Sequence, residues 1–136
     1  MNSAALKQFG PLMGRVLLAL IFVIAGFGKL TGFEGTAAYM AQHGLPFVHL
    51  LLVLTIIIEI GGGLMIMLGL YARWAALVVF LFVIPVTLVF HAFWAVDPAQ
   101  KQLMMIMFLK NLCIEGGLIY IMTYGSGPLS LTKDTD

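Results

Sequence analysis

Six residues able to donate, accept or exchange protons stand in or beside long apolar runs: Lys29, Glu59, His91, Lys110, Asn111 and Glu115. The densest stretch is LKNLCIEGG, residues 109–117, flanked by IMF and LIYIM. A lysine donates and carries charge, a glutamate takes or supplies a proton, an imidazole does either near neutral pH, and an amide donates and accepts without titrating. Together they suit a ligand with a polar head and an apolar body. An uncompensated charge at the centre of a bilayer costs about 2.5–3.5 kcal/mol even on the lenient insertion scale. Such groups are therefore functional candidates by default, and they should face inward and pair.

The elements that must position them are membrane helices. The 136-residue chain is 62% hydrophobic and 10% charged, with a mean hydropathy of +1.07, far more apolar than a soluble domain. Four apolar runs, at about 11–30, 47–70, 74–94 and 103–124, each approach the ~20 residues that cross the hydrocarbon core as a helix. Breaker-rich segments separate them, GFEGTAAYMAQHGLP, LYAR and VDPAQKQ, and GSGPLSLTKDTD follows the last. The expected fold is all-α, an integral membrane four-helix bundle running up-down-up-down as one domain over residues 1–136. Lys7, Arg15, Arg73 and Lys133 fall at one end of that bundle against Lys29 and Lys101 at the other. By the positive-inside rule both termini are cytoplasmic. Arg15 and Arg73 then read as structural anchors whose long side chains reach for the cytoplasmic interface.

Depth and facing gather the polar residues. Glu59 lies about twelve residues into the second span, roughly 18 Å deep, and Glu115 at a similar depth in the fourth, with Lys110 and Asn111 roughly 10–12 Å deep. Lys29 and His91 come near the external ends of the first and third spans. Helical spacing predicts inward stripes of Arg15, Ala19, Phe22, Gly26 and Lys29; of Glu59, Gly62 or Gly63, Ile66, Gly69 and Arg73; of Phe80, Ile84, Thr87, His91 and Trp94; and of Asn111, Glu115, Leu118 and Met122. Lys110 and Glu115 are about 140° apart on their shared helix. The expected partner of Lys110 is therefore Glu59, across the bundle.

Several classes drop out. Basic residues are few and scattered, which gives no footprint for nucleic acid. Cys113 is the sole cysteine, so no internal disulfide, redox pair or cysteine-built metal site can form. His43, His49 and His91 lack a metal-ligand or haem pattern. GFGKLTG mimics a phosphate loop only in part, because Val23 stands where its first glycine belongs and Leu30 where its Ser/Thr belongs.

The runs RVLLALIFVIAGFGKLTGFEGTAAYMAQHGLP, EIGGGLMIMLGLYARWAA, FHAFW and FLKNLCIEGGL, with the GSGPLSLTKD tail, resemble the DoxX family of small bacterial inner-membrane proteins. The resemblance extends from about Gly14 to Asp134 and rests on Arg15, Gly26, Lys29, Glu59, Gly69, Arg73, His91, Lys110, Asn111 and Gly117. Glu115 enters the candidate set on depth and facing alone. The resemblance implies a four-helix bundle in the bacterial cytoplasmic membrane and a link to membrane redox complexes, the family name coming from a subunit associated with thiosulfate:quinone oxidoreduction. Three functions are open. The first is a redox-associated subunit, with a partner redox enzyme, that binds a quinone or similar amphiphile in the external half of the bundle. The second is a lipid or small-metabolite binding or transport module, expected as a homodimer, and the third a membrane scaffold for a partner enzyme.

Overall fold

The computed structural model describes residues 3–133; Asp134, where the resemblance ends, lies outside them. Among the described residues four helices are long and apolar enough to cross a membrane: Ala4–Thr31 (α1), Val48–Leu68 (α3), Ala72–Phe90 (α4) and Pro98–Tyr124 (α5). A shorter helix, Phe33–Gln42 (α2), joins α1 to α3. The shortest span has 19 residues, about 28 Å of helix, which matches a hydrocarbon core of ~30 Å.

Local signals start and stop these helices. The Ser3 hydroxyl accepts a hydrogen bond from the Leu6 backbone N–H at 3.1 Å, capping α1. Pro98 opens α5 in its first turn, where a missing N–H costs nothing. Gly69, at φ 67°, ends α3 in the left-handed conformation that a side chain resists. Helices α1 and α5 begin earlier than the apolar runs at 11 and 103, because Lys7, Gln8, Gln100, Lys101 and Gln102 extend a helix without extending its hydrophobicity. Helix α4 ends at Phe90 rather than 94, since the chain turns at His91. The segment 32–46 was expected as a loop and contains α2 instead. Phe33, Ala37 and Met40, four and three residues apart, pack on Leu52 and Ile56 of α3.

The inward stripe of α1 is the one its spacing predicts, with Arg15, Ala19, Phe22 and Gly26 all buried. In α3 the buried line runs Leu52, Ile56, Glu59, Gly63 and Ile66. Helix α4 corrects the expectation. Its buried face is Ala72, Ala75, Ala76, Val79, Val83 and Thr87, whereas Ile84 and Trp94 are 38% and 58% exposed. Lipid is as apolar as leucine, so small residues, which permit close backbones, mark the inner face better than large ones do. In α5 Asn111, Leu118 and Ile121 are buried, while Glu115 is only half-buried.

Glycines set the distance between α1 and α3. A Cβ on Gly26 would lie 2.6 Å from Ile60 Cγ1 and 3.2 Å from Glu59 Cβ, and one on Gly63 would lie 2.9 Å from Val23. The two helices touch here almost backbone to backbone.

The tail after α5 folds back. Leu131 and Thr132 donate their backbone N–H groups to the carbonyls of Leu68 and Gly69, each at 3.1 Å, and the Tyr71 N–H donates to Thr132 Oγ1 at 2.7 Å. Arg15 donates to the Ser126 carbonyl and, at 2.9 Å, to that of Leu129. Arg15, 2% exposed, is thus a buried tie between α1 and the tail rather than a side chain reaching for the interface. The tail supplies carbonyls close enough to hold its guanidinium inside. Arg73 sits half-buried in the first turn of α4.

The close approach at Gly26 yields a contrast. Gly26→Leu must push α1 off Ile60, and we expect it to lower stability by about 1–3 kcal/mol. Gly28→Leu, with nothing within 4 Å of its Cβ, should stay within about 0.5 kcal/mol. Thermal unfolding in detergent, followed by circular dichroism, measures both; equal losses would mean that the glycine contact does not set the helix spacing.

Candidate functional site

Glu59 lies within a π-helical segment, Ile57–Gly62, set in the middle of α3. Such wide turns are uncommon and concentrate at functional sites. The Gly26 contact carries the end of α1 across this turn, and Lys29, three residues on, reaches over it. Lys29 Nζ donates to both carboxylate oxygens of Glu59, at 3.0 and 2.9 Å. The side chains are 27% and 8% exposed. The expected Glu59–Lys110 pair is therefore replaced by Glu59–Lys29. The reason is packing order: α1 lies directly on α3, whereas Lys110 comes from α5, which packs on α4.

Two adjoining cavities share the walls Lys29, Glu59, Phe82, Val86 and His91. One, of about 210 Å³, extends beneath α2 to Thr36, Tyr39 and Met40. The other, of about 140 Å³, extends to Lys110 and Asn111. The structure thus brings five of the six candidates to one place: Lys29, Glu59, His91, Lys110 and Asn111. Glu115 lines neither cavity.

Asn111 is oriented by α4. Its Nδ2 donates to Thr87 Oγ1 at 2.8 Å, and that hydroxyl donates to the Val83 carbonyl at 2.7 Å. His91 follows the last residue of α4. Burial first, and the neighbouring Lys110 charge second, hold its imidazole below the usual range, against a smaller opposite effect of the Phe90 backbone. Its Nδ1 is buried and has no hydrogen-bond partner among the described residues. A buried polar nitrogen left without a partner costs about 1–3 kcal/mol. A ligand that hydrogen-bonds there would recover that cost.

Helix α2 covers this end of the bundle. Tyr39 stacks on Phe90 with ring centroids 5.6 Å apart, and His43 tilts against the same ring at 4.9 Å. Reading the segment as a loop missed the contribution of Thr36, Tyr39 and Met40, although the Phe33, Ala37, Met40 spacing carried the signal. Thr87 was placed on the inner stripe, but its hold on Asn111 was not foreseen.

A larger cleft of about 480 Å³ lies at the other end, lined by Pro11, Gly14, Leu18, Gly117 and Tyr120, with Arg15 in its wall. Tyr124 and Ser126 line it as well, and Arg15 is engaged with tail carbonyls. The smaller cavities hold the acid–base groups. No cluster of three His, Cys, Asp or Glu side chains fit for a metal ion occurs among the described residues.

Comparison with known proteins places the chain in a family. Residues 10–92, more than half of the chain, match the DoxX family model. The chain is 36% identical over 128 residues to the inner membrane protein YqjF of Escherichia coli (strain K12), covering 94% of this chain and 93% of the relative. It is 31% identical over 139 residues to the inner membrane protein YphA of the same organism, covering 98% and 99%. A shorter likeness, 33% over 66 residues and 48% of each chain, joins it to "Putative oxidoreductase CatD" of Bacillus subtilis (strain 168). No solved structure matches it.

The ion pair makes its own stability test. Lys29→Met strands a buried carboxylate and should cost on the order of 3 kcal/mol, whereas Lys29→Met with Glu59→Met removes both charges and should recover most of that loss. The double variant melting no higher than the single one would show that the two side chains are not energetically coupled.

Proposed function

Given that the chain belongs to the DoxX family, we propose that it is a redox-associated subunit of the bacterial inner membrane that binds the head group of a quinone or similar amphiphile between Lys29, Glu59, His91, Lys110 and Asn111. Both termini lie on the cytoplasmic side, so this site occupies the external half of the bundle. The observation that carries the reading is the partnerless His91 Nδ1 in a cavity wall shared with a glutamate and a lysine. A quinone head group needs hydrogen-bond donors for its carbonyl oxygens and a proton source when it is reduced. Lys110 and Asn111 supply donors, and Glu59 supplies or takes the proton. His91 uses whichever of its nitrogens the head group requires, as donor or as acceptor.

Size supports a head group rather than a whole ligand. Cavities of about 210 and 140 Å³ fall below the roughly 300 Å³ at which pockets for drug-sized molecules begin. The ring enters, and the tail remains among the lipid chains. No haem, flavin or iron–sulfur ligation is evident among the described residues; in this reading a partner enzyme supplies the electrons. The oxidoreductase name carried by the Bacillus subtilis relative agrees with that class of partner.

Purified wild-type protein in lipid nanodiscs should carry quinone in its organic extract above the level of empty nanodiscs. Glu59→Gln and His91→Phe should each reduce that excess by about tenfold, the change expected for losing one buried hydrogen bond, while the helical content remains. Extracts holding only bulk lipid would sink the reading.

A further inference from the structure

The charges around the two cavities do not balance. Glu59 gives both carboxylate oxygens to Lys29, and the one other ion pair among the described residues, His49 with Glu34, is on the exposed side of α2. Lys110 lines the 140 Å³ cavity and has no carboxylate within ion-pair distance among the described residues. Two lysines and one committed glutamate therefore share a space with the His91 ring. One N–H of the Asn111 amide is held by Thr87, which leaves the other for a ligand. The cationic group left to meet a ligand is the Lys110 amine, with the His91 ring beside it.

Resting on the quinone-type reading of this site, we infer that the head group bound beside Lys110 is acidic: a ring-borne hydroxyl held as the oxygen anion. Lys110 is its counter-ion, and His91 is its hydrogen-bonding neighbour. The chemistry is the same whichever form of the lysine the empty cavity favours. An ammonium receives a ready-made anion. A neutral amine takes the proton of the acidic hydroxyl as it binds, leaving the same ammonium and oxyanion. No electron moves in this step. A charge-assisted hydrogen bond of this kind is roughly twice as strong as a neutral one, and the apolar walls Phe82, Val86 and Ile114 keep water from competing for it.

The position of Lys29 explains why Lys110 is the selective group. Lys29 is pinned by two short hydrogen bonds to Glu59, so it already has its anion. An incoming anion would have to break that pair to use Lys29. Lys110 asks for no such exchange.

Two naphthoquinones separate charge from shape: 2-hydroxy-1,4-naphthoquinone, whose hydroxyl is ionised at neutral pH, and its 2-methoxy ether, which cannot ionise. Binding to the purified full chain in nanodiscs is measured by equilibrium dialysis. We expect the wild type to bind the hydroxy compound about tenfold more tightly than the ether. Lys110→Met should erase that preference, and Lys101→Met, on the exposed start of the same helix, should leave it unchanged. Equal binding of both compounds by the wild type overturns the inference while leaving the quinone-type site standing. A preference that survives Lys110→Met also overturns it. Binding of neither compound removes the quinone-type reading itself, and the inference with it.

Discussion

A single ion pair governs this bundle. The Glu59 side chain is buried in the middle of a span, where a lone charge is costly, and much of the surrounding geometry brings Lys29 to it. Gly26 removes the side chain that would hold α1 away from α3. The π turn at Ile57–Gly62 presents the glutamate inward, and Gly63 directly after it keeps the α1 contact. Helix α2 then lies over the ion pair with Tyr39 and Met40 in the cavity wall. Charge pairing and close packing are here one constraint, because the lysine reaches the carboxylate only while the backbones stay in contact.

That constraint also shapes the space left over. With Glu59 committed to Lys29, Lys110 and His91 face the remaining volume without a protein partner among the described residues. Natural interiors leave few such groups, since each carries a desolvation cost. The larger cleft at the opposite end differs in kind: its Arg15 guanidinium is engaged by tail carbonyls, and no carboxylate, lysine or imidazole lines it.

Much of this was legible in the sequence, for reasons that differ by residue. Four spans follow from hydropathy because lipid forces every backbone polar group into a helix. Lys29, Glu59, His91, Lys110 and Asn111 stood out because charge and amide groups are conspicuous against apolar flanks, and helical rise placed them all in the same half of the bundle. The partner of Glu59 was not legible. Depth does not say which helices are neighbours, and α1 reaching α3 through Gly26 is a tertiary fact. On α4 Thr87 falls on the expected inner stripe, but Val79 and Val83 take the places given to Phe80 and Ile84, because apolar periodicity loses its meaning where the outside is also apolar. Helix α2 and the returning tail went unseen because alanines, glycines and serines read as linker when their buried partners, Leu52 and Ile56 in one case and Gly69 and Arg15 in the other, lie far away in the chain.

The returning tail bears on the order of assembly. Arg15 belongs to the first helix made, yet the Ser126 carbonyl that receives its guanidinium is 111 residues further along. Leu68 and Gly69, at the close of the second span, likewise take their bonds from Leu131 and Thr132. The end of the bundle that holds Arg15 and Gly69 is therefore completed only after all four spans have been made. Until then α1 is held mainly by its glycine contacts with α3, and the Lys29–Glu59 pair can form well before the opposite end is closed.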